Sequence, residues 1–135
     1  MSTGSASPAR PPVGVLTVDD QPTFRLAARQ VIEATPGFAL LGEADSGEAA
    51  LALARSLAPD LVLVDVRMPG LDGLETARRL KASHPATAIV LVTACPDSVP
   101  AGADSCGAEA LVHKEELAPA LLRRLWDAHG RPAPG

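Results

Sequence analysis

"DLVLVDVRMPGLDG", residues 60–73, decides the fold. Leu61 to Val64 is an apolar run with no polar alternation, the pattern of a strand covered on both faces. It ends in a carboxylate, Asp65, and the chain then breaks at Met68-Pro69-Gly70. Strands covered on both faces belong to parallel sheets with helices above and below. Such sheets place their chemistry at the carboxyl ends of the strands. Asp65 stands at one of those ends.

The same reading extends outward. "VGVLTV" (13–18) and "AIVLVT" (88–93) are further apolar strand candidates, joined by "FALLGEA" (38–44) and the short "EALVH" (109–113). Helical patterns separate them. "QPTFRLAARQVIEA" has Pro22 near its first helical position, where the missing N–H costs nothing. Its Phe24, Ala27, Ala28 and Val31 form an amphipathic stripe. "SGEAALALARSLA" has Ser46 as a candidate N-cap, and "LETARRLKAS" (74–83) follows the third strand. A weak helical segment is expected between Ser98 and Cys106, and a last helix over "EELAPALLRRLWDA" (115–128). Five alternating strand and helix units predict an α/β fold, a doubly wound five-stranded parallel sheet.

Composition agrees with one domain. The chain has 135 residues and is 47% hydrophobic, enough for a sizeable core. With no Tyr, two Phe and one Trp, that core must be aliphatic and rich in Ala. A net charge of −4 lacks the basic footprint of a nucleic-acid binder, so no direct nucleic-acid binding is expected. No apolar run approaches the roughly 18 residues that span a membrane, and the N-terminus has no apolar signal region. A cytoplasmic location is the expectation. Cys95 and Cys106 fit neither a metal pattern nor a CxxC pair, and are expected as reduced thiols serving as small buried hydrophobes. His84, His113 and His129 show no metal spacing. Residues 1–12 and 129–135 read as tails around a domain at 13–128.

The expected strand ends carry Asp19-Asp20, Asp65, Thr93-Ala94 and His113-Lys114. A parallel sheet gathers these on one edge. Three adjacent carboxylates need compensating positive charge. Oxygen ligands with open positions suit Mg²⁺, which often takes substrate phosphate as a further ligand. Lys114 adds a point charge, Thr93 a hydroxyl, and Ala94 a backbone N–H. Together they make a cradle for a transferring phosphoryl group, in which a carboxylate can act as nucleophile. The Pro-Gly turn then holds the backbone after Asp65 where a carbonyl can reach the metal. Taken singly, an Asp before Pro-Gly is usually a turn residue, and an Asp-Asp pair a solvated helix start. The ordered set on four strand ends outweighs those readings.

"VDDQPTFR", "DLVLVDVRMPGLDG", "LVTA" and "GAEALVHK" resemble the response regulator receiver domain of two-component signalling, over residues 13 to about 128. "VDDQPTFR" is closest to the branch that usually carries a C-terminal helix-turn-helix. The resemblance implies a flavodoxin-like (βα)5 fold and Asp65 as the phosphorylated aspartate. It implies that Asp20, Asp65 and the backbone carbonyl of Arg67 ligate Mg²⁺, with Asp19 acting through water. Thr93, Ala94 and Lys114 then hold the phosphoryl group, and the donor is a phosphohistidine on a sensor histidine kinase or phosphotransfer protein. Arg67 and Cys95, each two positions after a pocket residue, flank that group.

Three features depart from the family. Leu111 stands where its switch aromatic sits, Glu115 follows the lysine in place of the common proline, and "PDSVPAGADSC" carries two prolines and a glycine. Only seven residues follow the expected last helix, so the expectation is a phosphorylation-switched receiver without its own output domain. The alternatives are a phosphorylation-independent adaptor and a receiver fragment of a helix-turn-helix regulator. In the last helix, Leu117, Leu121 and Leu125 are expected to face the sheet. Leu122 and Trp126 are expected as a second, exposed stripe for a downstream partner or self-association, beside Leu111. An aspartyl hydrolase is disfavoured because Arg67 stands where its second Asp belongs. A dinucleotide site is disfavoured because the turn after the first strand is Asp-Asp-Gln-Pro, not Gly-rich.

Overall fold

The computed structural model describes residues 11–95, 97 and 99–130. Of the expected tails, 1–12 and 129–135, residues 1–10 and 131–135 lie outside the described residues, while His129 closes the last helix rather than starting a tail. Five strands, β1 (Val13–Val18), β2 (Phe38–Ala44), β3 (Leu61–Asp65), β4 (Ala88–Thr93) and β5 (Ala110–His113), form one sheet. All pairings are parallel and the order is β2-β1-β3-β4-β5. The helices are α1 (Pro22–Glu33), α2 (Gly47–Leu57), α3 (Gly73–Ser83) and α4 (Pro119–His129). Each strand of the central pair β3 and β4 is buried along its whole length, as unbroken apolar runs require.

Two aliphatic cores lie on the two faces of the sheet. One packs Leu16, Val62, Val64, Ile89 and Leu91 against Ala50 and Ala54 of α2 and Ala77 and Leu80 of α3. The other packs Val15, Leu61, Leu63, Val90 and Val92 against Ile32 of α1 and Leu122 and Leu125 of α4. Helix starts follow local chemistry. Ser46 accepts a hydrogen bond from Ala49 N at 3.1 Å, and Asp72 from Glu75 N at 2.9 Å, so both cap orphaned N–H groups.

Four expectations are corrected. Between β4 and β5 the described residues contain no α-helix; a 3₁₀ turn spans Ala103–Ser105. Pro100 and Gly102, the latter at φ +95°, disfavour a helix there. The last helix begins at Pro119, not Glu115; a separate 3₁₀ turn, Lys114–Glu116, precedes it. Proline is well placed at the first helical position and breaks the ladder further in. On α1, Ala28 and Ile32 are buried, whereas Ala27 of the expected stripe is exposed.

The fourth correction concerns the face of α4. Leu122 is fully buried and Leu125 nearly so, while Leu117, Leu121 and Trp126 are half-buried at the margins of the same core. Leu122 is therefore not part of an exposed stripe. The line through Leu122 and Leu125 faces the sheet, and Leu121 and Trp126 flank it. A single apolar arc broader than 100° satisfies the core without leaving a second face. Trp126 closes over the end of the helix, and a Cβ on Gly130 would stand 2.2 Å from its ring. Leu111 does remain 41% exposed on β5.

Candidate functional site

The strand order sets the site. The chain leaves β1 toward β2 on one side and toward β3 on the other, so β1 and β3 flank the point where the winding reverses. Asp19 and Asp20 follow β1 directly, and Asp65 is the last residue of β3. Their carboxylates offer oxygens that all lie within 4.8 Å of one another. Asp19 is 1% and Asp65 7% exposed; Asp20 is the more accessible of the three.

Lys114, directly after β5, reaches across β4 into this cluster. Its Nζ lies 2.6 Å from Asp19 Oδ2 and 3.7 Å from Asp65 Oδ2. The Asp19 contact is an ion pair rather than a well-directed hydrogen bond. Among the described residues, Oδ2 has no hydrogen-bond donor although it is buried. The other oxygen, Oδ1, accepts from Gln21 N at 2.8 Å, and Arg25 Nη1 donates to the Asp19 carbonyl at 2.7 Å. The turn after β1 is thus locked with one carboxylate lone pair aimed into the cluster.

Asp65 feels the consequences. Its pKa is pushed up to about 6, first by burial and then by the negative charge of Asp19, with a smaller push from Asp20. Lys114 and the backbone N–H of Arg67 pull the other way without restoring the ordinary value of 3.8. A buried carboxylate held back from ionisation by two neighbouring carboxylates, one with an undonated oxygen, is a site short of positive charge. An all-oxygen donor set of this kind fits a hard divalent cation.

The remaining residues are held by register. Asp65 pairs with Val92, so Thr93 lies one residue further along the neighbouring strand, paired in turn with His113. Val66 N donates to the Val92 carbonyl at 2.9 Å, extending the pairing past Asp65. Thr93 is buried, and its hydroxyl accepts from Cys95 N at 3.1 Å. Ala94 is exposed beyond it. Cys95 is exposed too, so the expectation of a buried thiol holds for Cys106 alone. Strand β4 ends at Thr93, and Ala94 and Cys95 directly beyond it are exposed.

The turn after Asp65 is shaped by glycine. Gly70 has φ +75°, which follows naturally from Pro69 and favours glycine. Gly73 opens α3 against the end of β3, where a Cβ would stand 2.0 Å from the Asp65 carbonyl oxygen. Arg67 lies exposed in this turn, with its N–H bonded to the Asp65 carboxylate.

Two residues at the site were not recognised as site residues from sequence. Gln21 Oε1 accepts from Lys114 Nζ at 3.3 Å, and the Phe24 ring lies beneath the same ammonium, 4.5 Å to its centroid. Phe24 was legible only as part of a helix stripe. Nothing local marks its contact with a lysine 90 positions away.

Fold and site together define a class. The response regulator receiver domain family matches residues 15–125, and the chain belongs to it. Receiver domains act as switches that accept a phosphoryl group on aspartate. Among individual relatives, the response regulator GacA of Pseudomonas viridiflava is 45% identical over 85 residues, 63% of this chain and 40% of that protein. The chain thus spans about two fifths of the length of that relative. The response regulator domain of Thermotoga maritima CheB superposes with a TM-score of 0.77 at 26% identity, covering 87% of this chain and 96% of that one. The receiver domain of the putative response regulator NarL from Mycobacterium tuberculosis gives 0.75 at 30% identity, covering 86% and 98%. The expected family and five-stranded parallel fold are borne out. Among the described residues no helix is long and apolar enough to cross a membrane.

Proposed function

We propose that the chain is a phosphorylation-switched signalling receiver whose acceptor is Asp65. The carrying observation is the position of Lys114 Nζ, 2.6 Å from Asp19 and 3.7 Å from Asp65 in an otherwise acidic, buried cluster. A phosphoryl group arriving at Asp65 brings further negative oxygens to a site where the Lys114 ammonium stands beside the acceptor. Lys114 can pair with them by a small movement away from Asp19.

In this reading an oxygen of the Asp65 carboxylate attacks phosphorus. The bond from phosphorus to the donor nitrogen breaks, and its electron pair leaves with the donor's imidazole, which takes up a proton. Thr93 donates its hydroxyl and Ala94 its N–H to the phosphoryl oxygens, and Lys114 neutralises their charge. Asp20, Asp65 and the carbonyl of Arg67 would hold Mg²⁺, with Asp19 acting through water. Such a cation supplies positive charge to the phosphoryl oxygens and to the crowded carboxylates. The donor is a sensor histidine kinase or phosphotransfer protein, which places the chain in the cytoplasm. The chain catalyses only its own phosphoryl gain and loss.

The test is intact mass after incubation with acetyl phosphate and Mg²⁺. One added phosphoryl group is expected on the native chain and none on Asp65→Asn. Equal labelling of the variant would place the acceptor elsewhere. No labelling of either, with a folded protein and added Mg²⁺, would favour a phosphorylation-independent adaptor.

A further inference from the structure

Lys114 is a long, flexible side chain that must stay over the acidic cluster to act on a phosphoryl group. Its stem starts from the 3₁₀ turn after β5, and its head crosses a neighbouring strand to reach β1 and β3. The carboxylates draw the ammonium, but they lie on one side of it. The other side is closed by the first turn of α1. The Phe24 ring lies 4.5 Å below Nζ, and Gln21 Oε1 accepts from it at 3.3 Å.

The way α1 begins is consistent with this use. Gln21 occupies the N-cap position, where Ser, Thr, Asp or Asn would ordinarily bond to an orphaned N–H. Its side chain makes no cap hydrogen bond and faces Lys114 instead. Pro22, at the start of the helix, removes one N–H that would need a cap. Phe24 is half-buried at the edge of the core that α1 shares with the sheet, and so presents a ring face to the cation. The Lys114 side chain is only 12% exposed, a desolvated setting in which an ammonium over a ring is held more strongly than at the surface.

We infer that Phe24, assisted by Gln21, is a positioning residue for phosphoryl transfer: its ring seats the Lys114 ammonium beside Asp65. The inference rests on the reading of Lys114 as the phosphoryl-holding cation. The first turn of α1 is thereby part of the reaction site, although it carries no group that touches phosphorus. Loss of the ring leaves Lys114 attracted to the carboxylates but free to sample orientations directed to solvent, so fewer encounters find it in place.

The rate of phosphorylation of the full chain by acetyl phosphate is measured for the native protein, Phe24→Leu, Phe24→Tyr and Lys114→Ala, with folding of each checked by urea titration. Phe24→Met replaces the leucine variant if that one does not fold. Carbon-detected side-chain spectra of the unphosphorylated proteins supply a second readout. The ε-methylene protons of Lys114, identified by their loss in Lys114→Ala, carry an upfield ring shift in the native chain. Phe24→Leu is expected to slow phosphorylation about fivefold, the size of one cation–π contact, and to erase the ring shift. Phe24→Tyr is expected to restore both. A leucine variant as fast as the native chain, beside a slow Lys114→Ala, would overturn the inference and leave the site reading intact. A tyrosine variant as slow as leucine would also overturn it, reducing Phe24 to core packing. A Lys114→Ala chain phosphorylated at the native rate would overturn the site reading itself.

Discussion

Asp65→Asn is expected to stabilise the protein in the absence of divalent cations, and by an amount that depends on pH. The folded carboxyl keeps its proton to about pH 6, whereas an ordinary aspartate in the unfolded chain loses it near 3.8. Between those values the folded state binds more protons, so stability falls as pH rises and the loss is complete above about pH 6. The interval from 3.8 to about 6, at ~1.4 kcal/mol per pH unit, corresponds to about 3 kcal/mol. Asparagine has nearly the same shape and no charge to bury, so it escapes this cost. A gain of about 1–3 kcal/mol is expected at pH 7.5, equivalent to a rise in Tm of roughly 4–10 °C for a domain of this size. At pH 4 residue 65 is uncharged in both folded proteins, and the gain should shrink to about half a kcal/mol. Urea titrations of both proteins at the two pH values, with a chelator present, measure it. Adding Mg²⁺ should then stabilise the native chain much more than the variant, because ligand binds the folded state alone. An equal gain at pH 7.5 and pH 4, or a loss at pH 7.5, would refute the account of Asp65 as a carboxylate strained by burial and by Asp19.

Two further outcomes separate the site and the core from their surroundings. Calorimetric titration of Mg²⁺ should show an affinity at least about tenfold lower in Asp20→Ala, whereas His113→Ala should stay within about twofold of native; unchanged binding in Asp20→Ala would remove it from the ligand set. Leu122→Ala should cost about 2–5 kcal/mol in urea unfolding, because the side chain is fully buried between α4 and the sheet. Leu111→Ala, 41% exposed on β5, should change stability by no more than about 0.5 kcal/mol. Similar costs for the two would contradict the placement of α4.

Local pattern determined much of this molecule. The runs at 13–18, 38–44, 61–65 and 88–93 match β1 to β4 residue for residue; for β3 and β4 the reason is that a strand buried on both faces needs a continuous apolar stretch and turn residues to end it. Asp19, Asp20, Asp65, Thr93 and Lys114 were all legible as strand-end residues, since each follows or closes an apolar run.

What pattern could not decide were contacts between distant elements. The order β2-β1-β3-β4-β5 comes from packing and crossover connections, and it alone brings Asp19 beside Asp65. The angle of α4 on the sheet turned Leu122 inward, contrary to the helical wheel, because a wheel gives the width of an apolar arc and not the direction in which its centre points. Neither Cys95 nor Cys106 lies in a periodic apolar pattern that would mark its burial, yet one is exposed and the other buried. The seat under Lys114 joins residues 93 and 90 positions apart, Gln21 and Phe24. No periodicity encodes such a pair. It exists only because β1 and β5 end on the same edge of one parallel sheet, and because the helix after β1 starts within reach of the lysine after β5.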